Sequence, residues 1–476
     1  MELYQTAAGI LARVAQRRGS AKNMCLDPRV QNKRAIFKLV HETLRHVRAL
    51  DLALTLAGCD ELLAGAGAEL RGADGPNAEL ARGAARLFSY ELCVGQGLHR
   101  RAGRCAPEVR AAMGVVLTRR AALKKAYAQA RHTVPIAAEP LKLPRYVRAN
   151  PLKASVEEVL AELARTHPSV VRDAHVPALL VLPPGTDVHA HPLVESSRAI
   201  LQDKASCMPV VAMRAQLGWR CIDACAAPGN KTTQLAAAVG AGGRVDAYER
   251  DGRRADLLRR RVGEAGAEAI VYVHKADFLL VDPREHADVC ALLCDPSCSG
   301  SGIVTRVDVG PDSGAAAEGE AAQAVRRIQA LAEVQGRILC HALSFPAATV
   351  VVYSTCSVHC EENEGVVATA LGAMEGAGWR LSVALPDWHR RGLASEGVAL
   401  DAEQCARCLR CLPEDGCGGF FVARFERELP SAGRRPKAQQ QAARAQGRRV
   451  RGVLRLQSVL CLTATTPWSR CVAPGS

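Results

Sequence analysis

Aromatic residues are scarce in this chain. Phe, Trp and Tyr make up 4% of its 476 residues, while 48% are hydrophobic overall. A core must therefore be built of Ala, Leu and Val rather than of rings. No stretch reaches the roughly 18 consecutive apolar residues of a transmembrane helix, so no membrane span and no membrane partner are expected. Met1 to Ser20 has no basic segment ahead of an apolar one, so no secretory signal is expected. Internal repeats are missing, and so is the G-x-G-x-x-G turn of dinucleotide sites. Cysteine is plentiful but unframed: 19 residues, an odd number. In a chain that is not secreted these are expected to be mostly reduced thiols.

Acidic residues are missing from one end. Residues 429–476 hold nine Lys/Arg and no Asp or Glu, and residues 1–150 hold 25 Lys/Arg against 12 Asp/Glu. The net charge of +14 thus sits on the two flanks, around a mildly acidic middle. Such flanks suit a polyanion held at the ends while chemistry proceeds in the centre.

Residues 1–135 read as a helical N-terminal domain. Ile36, Val40, Leu44, Val47 and Leu50 recur at helical spacing, with Lys38, His41, Arg45 and Arg48 between them. Residues 79–93 repeat the pattern, which predicts an Ala/Leu bundle with basic outer faces. Pro135, Pro140 and Pro144 mark a linker. Residues 144–200 read as a small α/β, RRM-like, RNA-binding module: a strand from Pro144, a helix from Ser155 with Val156, Val159, Leu160 and Leu163 on one face, and a strand at 179–182. From about 201 to 427, strands are predicted at 219–224, 244–249, 269–274, 289–295 and 348–354. Helices are predicted at 231–239, 251–265, 321–344 and 361–372. This order implies a parallel sheet with helices on both faces, a Rossmann-like α/β domain. Residues 379–383 and 420–425 are expected to add antiparallel edge strands. Residues 308–320 read as a surface loop, and the tail 429–476 as basic and disordered up to about Val453.

Three motifs follow strands in that last domain. Asp223-Ala-Cys-Ala-Ala-Pro-Gly-Asn-Lys-Thr232 is a strand-to-helix turn of small residues. The helix after it offers free N–H groups and its positive dipole end, suited to the carboxylate of S-adenosylmethionine. Glu249, at the next strand end, can accept from both ribose hydroxyls, and Asp277 from the adenine amine. Asp295-Pro-Ser-Cys-Ser-Gly-Ser-Gly302 and Tyr353-Ser-Thr-Cys-Ser357 each bring a cysteine to a strand end.

Two such thiols fit methylation of a cytosine. A thiolate adding at carbon 6 makes carbon 5 nucleophilic, and the thiol leaves once the carbon 5 proton has gone. Asp295 is the candidate contact to N3 and the exocyclic amine. Lys231 is a candidate to lower a thiol pKa. The base must be unstacked to reach such a pocket. The residues themselves leave the roles of Cys298 and Cys356 interchangeable.

These motifs resemble those of the Sun-domain (Fmu-like) RNA cytosine-5 methyltransferases. The likeness extends to Pro144-Arg-Tyr-Val-Arg-Ala-Asn150, Ile200-Leu-Gln-Asp-Lys-Ala-Ser-Cys207 and Gly419-Phe-Phe421, so it covers about residues 144–427. Ser297, the segment 339–345 and Cys360-Glu-Glu-Asn-Glu364 are most similar to the fifth member of the animal branch. The resemblance implies a ribosomal RNA substrate of the large subunit, pre-ribosomal particles as partners, a monomer, and a place in the nucleus and nucleolus. It implies Cys356 as nucleophile, with Cys298 assisting product release beside Asp295 and Lys231. DNA cytosine methyltransferases use the cysteine of the Asp295 loop, so swapped roles are the alternative. Cys225, Ala226, Ala227, Pro228, Gly229, Asn230, Lys231, Glu249, Asp277 and Asp295 carry over as cofactor contacts. Glu249 stands where Asp is more usual.

Cys405-x-x-Cys408-x-x-Cys411, with Cys417, departs from the family. Four thiols at such spacing can bind zinc or an iron–sulfur cluster, but no His or second CxxC pair completes a knuckle, and no metal is assigned. Two other functions compete. A catalytically idle ribosome-assembly factor would need neither thiol, nor Asp295, nor Lys231. A small-molecule methyltransferase would need no basic flanks.

Overall fold

The computed structural model describes residues 2–428 apart from 17–20, 26, 28, 70–75, 99–104, 138–140 and 304–314. The expected basic tail, 429–476, lies outside the described residues, as does 308–314 of the expected loop.

Among the described residues eight helices come first: Glu2–Ala15, Ala21–Cys25, Lys33–Arg45, Val47–Leu56, Cys59–Glu69, Pro76–Cys93, Pro107–Thr118 and Arg120–Thr133, here α1 to α8. Ile36, Val40, Leu44, Val47 and Leu50 are all buried, in one cluster or beside it. The pattern does not belong to one helix, however. The chain breaks at His46, whose buried ring lies 2.6 Å from the Tyr127 hydroxyl. Arg45 is not on an outer face either. It pairs with Glu42 at 2.7 Å and donates to the Ala137 carbonyl. α8 does carry an exposed basic face, with Arg120, Lys124, Lys125 and Arg131 and no acid in its sequence.

The next segment forms a four-stranded antiparallel sheet: β1 (Arg145–Ala149), β2 (Val171–Arg172), β3 (Leu179–Leu182) and β4 (Ala199–Leu201), in the order β2-β3-β1-β4. Helices α9 (Val156–Thr166) and α10 (Pro192–Glu195) connect it. α9 starts at a capping box. The Ser155 hydroxyl accepts from the Glu158 N–H, and the Glu158 carboxylate accepts from the Ser155 N–H. Sequence periodicity missed β2 and β4, which are too short to show an alternation.

The larger sheet contains β5 (Arg220–Asp223), β6 (Arg244–Tyr248), β7 (Val271–His274), β8 (Ala291–Cys294), β9 (Val350–Thr355), β10 (Arg380–Ser382), β11 (Leu409–Cys411) and β12 (Phe420–Glu426). Its order is β10-β12-β9-β8-β5-β6-β7, with β11 also on β12. β5 to β9 are parallel. Alternate residues serve opposite faces. Cys221, Leu293 and Val352 pack with α11 (Lys204–Met213), α12 (Asn230–Val239) and α13 (Gly252–Glu264). Ile222, Leu292 and Val351 pack with α14 (Ala315–Leu343) and α15 (Glu364–Ala373). A short helix, α16 (Ala402–Arg407), precedes β11. A parallel sheet covered on both faces reads as continuous apolar runs, which is how the central strand β8 and the start of β9 read, whereas β5 and β6 carry Arg and Asp as well. The Rossmann-like fold expected from the alternation is the fold of this domain.

Two expectations need correction. α14 begins at Ala315, not 321, so 315–320 is helix rather than loop. Its Ala-rich start favours helix. β12 is not an edge strand. It pairs with β9 on one side and with β10 and β11 on the other. β11 was not anticipated.

Candidate active site

The chain runs β5, β6, β7 outward on one side, then returns to β8 and β9 on the other. Such a reversal opens a crevice at the carboxyl ends of β5 and β8. The candidate residues follow the carboxyl ends of the five parallel strands: 224–231 after β5, Glu249 after β6, Asp277 after β7, 295–302 after β8 and Cys356 after β9.

Cys298 and Cys356 come together, with their sulfur atoms 3.1 Å apart. Both are half-buried. The contact splits their acidities. The hydrogen bond with Cys356 and burial push the Cys298 thiol far up. The bond from Cys298, aided by Lys231, pulls Cys356 below the usual thiol value against the opposing effects of burial and Asp295. The two thiols share one hydrogen bond, and Lys231 favours the thiolate on Cys356.

Lys231 lies 2.8 Å from Asp295 Oδ2, and the Ser354 hydroxyl donates to Asp295 Oδ1 at 2.6 Å. Burial favours the neutral amine of Lys231, but Asp295 outweighs it, so the ammonium is held charged. One lysine therefore pairs with the Asp295 carboxylate and acts electrostatically on the Cys356 sulfur.

The cysteine loops are laced together by backbone. The Gly302 N–H donates to the Cys356 carbonyl at 2.9 Å, and Gly419 N–H to the Gly302 carbonyl at 2.7 Å. A Cβ on Gly302 would stand 2.1 Å from the Gly419 oxygen, so only glycine fits. Behind them, Glu362 is fully buried. It accepts from the Ser299 N–H at 2.8 Å, the Ser299 hydroxyl and Gln335. Burial would raise its pKa, but these donors overcome that and hold it ionised. Sequence reasoning missed Glu362. The Glu-Glu-Asn run was noted only for resemblance.

On the other side, Gly229 has φ 107° and lies against Leu258, whose Cδ1 would be 2.9 Å from a Cβ there. Thr233 N–H makes a bond to the Gly229 carbonyl. The N–H groups ahead of it in α12 have no intrahelical acceptor. Glu249 is buried. Its Oε1 accepts from the Asp251 N–H at 2.9 Å and its Oε2 is 3.4 Å from Arg254. Arg254 also donates to the Ala227 carbonyl at 2.8 Å. It bridges two parts of the expected cofactor site, and nothing in the sequence pointed to it. Among the described residues Asp277 accepts from the Leu279 N–H, through Oδ1 alone. Burial pushes the Cys225 thiol well up, which suits packing rather than chemistry.

This set fits S-adenosylmethionine. It offers a helix N-terminus for a carboxylate, a glycine turn shaped for close approach, a buried acid after β6 for diol hydroxyls and a free carboxylate oxygen on Asp277 for an amine. Cys405, Cys408, Cys411 and Cys417 are instead buried in the packing around β11, with Cys411 3.3 Å from Met208 Sδ. Among the described residues no group of three His, Cys, Asp or Glu side chains is arranged to hold a metal ion, and no helix is long and apolar enough to cross a membrane.

Comparison with known proteins agrees with this geometry. Residues 210–426 match the family model of the 16S rRNA methyltransferase RsmB/F. Residues 164–202 match the ferredoxin-like domain of NOL1/NOP2/Sun domain family member 5. The chain is 36% identical to a 28S rRNA (cytosine-C(5))-methyltransferase of Mus musculus, over 90% of this chain and 91% of that one. It is 37% identical to the 25S rRNA (cytosine-C(5))-methyltransferase NSUN5 of Arabidopsis thaliana, over 88% and 72%. The crystal structure of PH0851 superposes with a TM-score of 0.62 at 18% identity, covering 90% of this chain and 99% of the other. That last likeness concerns the fold alone. Similarity to the mouse and plant proteins spans nearly the whole chain, and with the two matched models it leads to one conclusion: the chain belongs to the NOL1/NOP2/Sun domain family of S-adenosylmethionine-dependent methyltransferases.

Proposed function

We propose that this protein methylates carbon 5 of a cytosine in large-subunit ribosomal RNA, with Cys356 as nucleophile and Cys298 assisting release. The observation that carries the reading is the 3.1 Å approach of two thiols beside the Lys231–Asp295 pair. A structural pair of buried cysteines would need neither the ammonium nor the carboxylate. An idle assembly factor would retain none of the four.

The residues divide the work. The Cys356 thiolate adds to carbon 6 of the ring. Asp295 accepts from the exocyclic amine, and the Lys231 ammonium is the donor beside N3, so negative charge on the ring is offset as the sulfur bonds. Carbon 5 becomes nucleophilic. The cofactor, when bound, supplies the methyl group that carbon 5 takes up. A water molecule beside Cys298 then takes the carbon 5 proton with that thiol assisting, the carbon 5–carbon 6 double bond re-forms, and Cys356 departs as thiolate. The pocket admits only an unstacked base.

The relatives' names give their substrates as 28S and 25S rRNA, which supports the large subunit for this chain. Such RNA is made in the nucleolus and held in pre-ribosomal particles, so nuclear and nucleolar action on such particles belongs to the same reading. The exposed basic side chains of α8 support the N-terminal domain as a phosphate-contacting surface. The test is bisulfite mapping of ribosomal RNA from cells with the protein, without it, and with Cys356→Ala. One large-subunit cytosine is expected to lose its methyl group in both deficient cases. An unchanged map would overturn the proposal.

A further inference from the structure

Arg148, on β1 of the ferredoxin-like sheet, is 1% exposed. Its Nε donates to Gln202 at 2.7 Å, and its Nη2 to the Thr233 hydroxyl at 3.0 Å and the Asn230 carbonyl at 3.3 Å. Its Nη1 is buried and has no partner among the described residues. No carboxylate is among the charged neighbours that act on it. Burial lowers the guanidinium to about 10, which still leaves it a cation at neutral pH.

Both Asn230 and Thr233 belong to the first turn of α12, the helix that follows the Gly229 turn. A buried cation with no counter-ion is a costly arrangement. It sits behind a helix end that already carries partial positive charge. The two fields add in the same place, and the missing anion is one that α12 would receive from solution. Gln202 completes the seam. Its amide donates to Gln234 of α12 at 3.1 Å and to the Ser206 carbonyl.

We propose that Arg148 is a positioning residue for the carboxylate end of the cofactor, acting through the first turn of α12. The ferredoxin-like module thereby adds a charge behind a helix end that already carries Lys231 in its first turn and Arg261, which donates to the Asn230 amide oxygen at 3.0 Å. This rests on the cofactor reading above.

The test uses the full chain and two probes. S-adenosylhomocysteine carries the amino-acid end, and 5′-methylthioadenosine lacks it. Calorimetry on Arg148→Met is expected to show about a ten-fold loss for S-adenosylhomocysteine and none for methylthioadenosine, because the positive field behind the α12 turn is weakened and only the first ligand carries a carboxylate to feel it. Arg148→Lys keeps the charge but not the planar fork, and is expected to show the same selectivity at about three-fold. It carries the test if the Met variant does not fold. Equal losses for both probes would mean a merely distorted turn and would overturn the proposal, as would no loss for either. A wild-type chain that binds neither probe would instead overturn the methyltransferase reading.

Discussion

The N–H of Gly302 donates to the carbonyl oxygen of Cys356 at 2.9 Å. One backbone bond thus ties the end of the Cys298 loop to the second cysteine, from which Cys298 is separated by 58 positions in sequence. A side chain at 302 would strike Gly419. Gly302→Ala is therefore expected to push the loops apart, cost about 1–3 kcal/mol of stability and remove most of the methyl transfer. Thermal melts beside initial rates would show both effects. An Ala variant of full activity would mean that the lacing does not position the thiols.

The hydrogen bond shared with Cys298 and the charge of Lys231 both favour a thiolate on Cys356. Removing either influence raises its pKa, so at a given pH less thiolate is present. Lys231→Met and Cys298→Ala should each shift the pH profile of Cys356 alkylation upward, with ten-fold less thiolate per unit well below the new pKa. Peptide mass spectrometry after brief iodoacetamide treatment reads this directly. Profiles identical to wild type would refute the coupling.

Covalent trapping separates the two roles. Cys298→Ala should accumulate a protein–RNA adduct, formed more slowly because its thiolate is scarcer but released more slowly still. Cys356→Ala should form none. Denaturing gels with labelled RNA decide it, and an adduct in Cys356→Ala alone would exchange the assignments.

Glu249 is buried at the end of β6 with Arg254 beside it. Glu249→Ala should weaken S-adenosylhomocysteine binding by about ten-fold or more, since hydrogen bonds to a charged group are worth about 1.5–3 kcal/mol. Unchanged affinity in calorimetry would remove Glu249 from the ribose site.

Exposed Lys124 and Lys125 lie on α8, away from both thiol loops in sequence. Reversing both to Glu should weaken RNA binding and flatten its dependence on salt, because fewer counterions are released. Cofactor affinity should not change. A wild-type salt slope in filter-binding titrations would send the RNA path elsewhere.

Much of this protein was legible in the chain itself. Strand and helix periods, with their small-residue turns, are local properties, so β5, β6, β8, β9 and the helices between them could be read in order. The motifs at 223–232, 295–302 and 353–357 were visible for the same reason, since each is a short strand end followed by its turn. What required tertiary structure was every relation between distant segments. Cys298 and Cys356 meet because β8 and β9 are parallel neighbours, and no spacing rule states that. β12 is an interior strand because β9 pairs with one side of it and β10 and β11 with the other, whereas sequence order alone suggested an edge. The His46 ring at the break between α3 and α4 meets the hydroxyl of Tyr127, 81 residues further on. Arg254 carries no local signature, and Arg148 and Glu362 lie in stretches whose resemblance assigned them no role. A charged side chain reads as surface until the fold buries it, and what it then does depends on partners that pairing and packing bring to it.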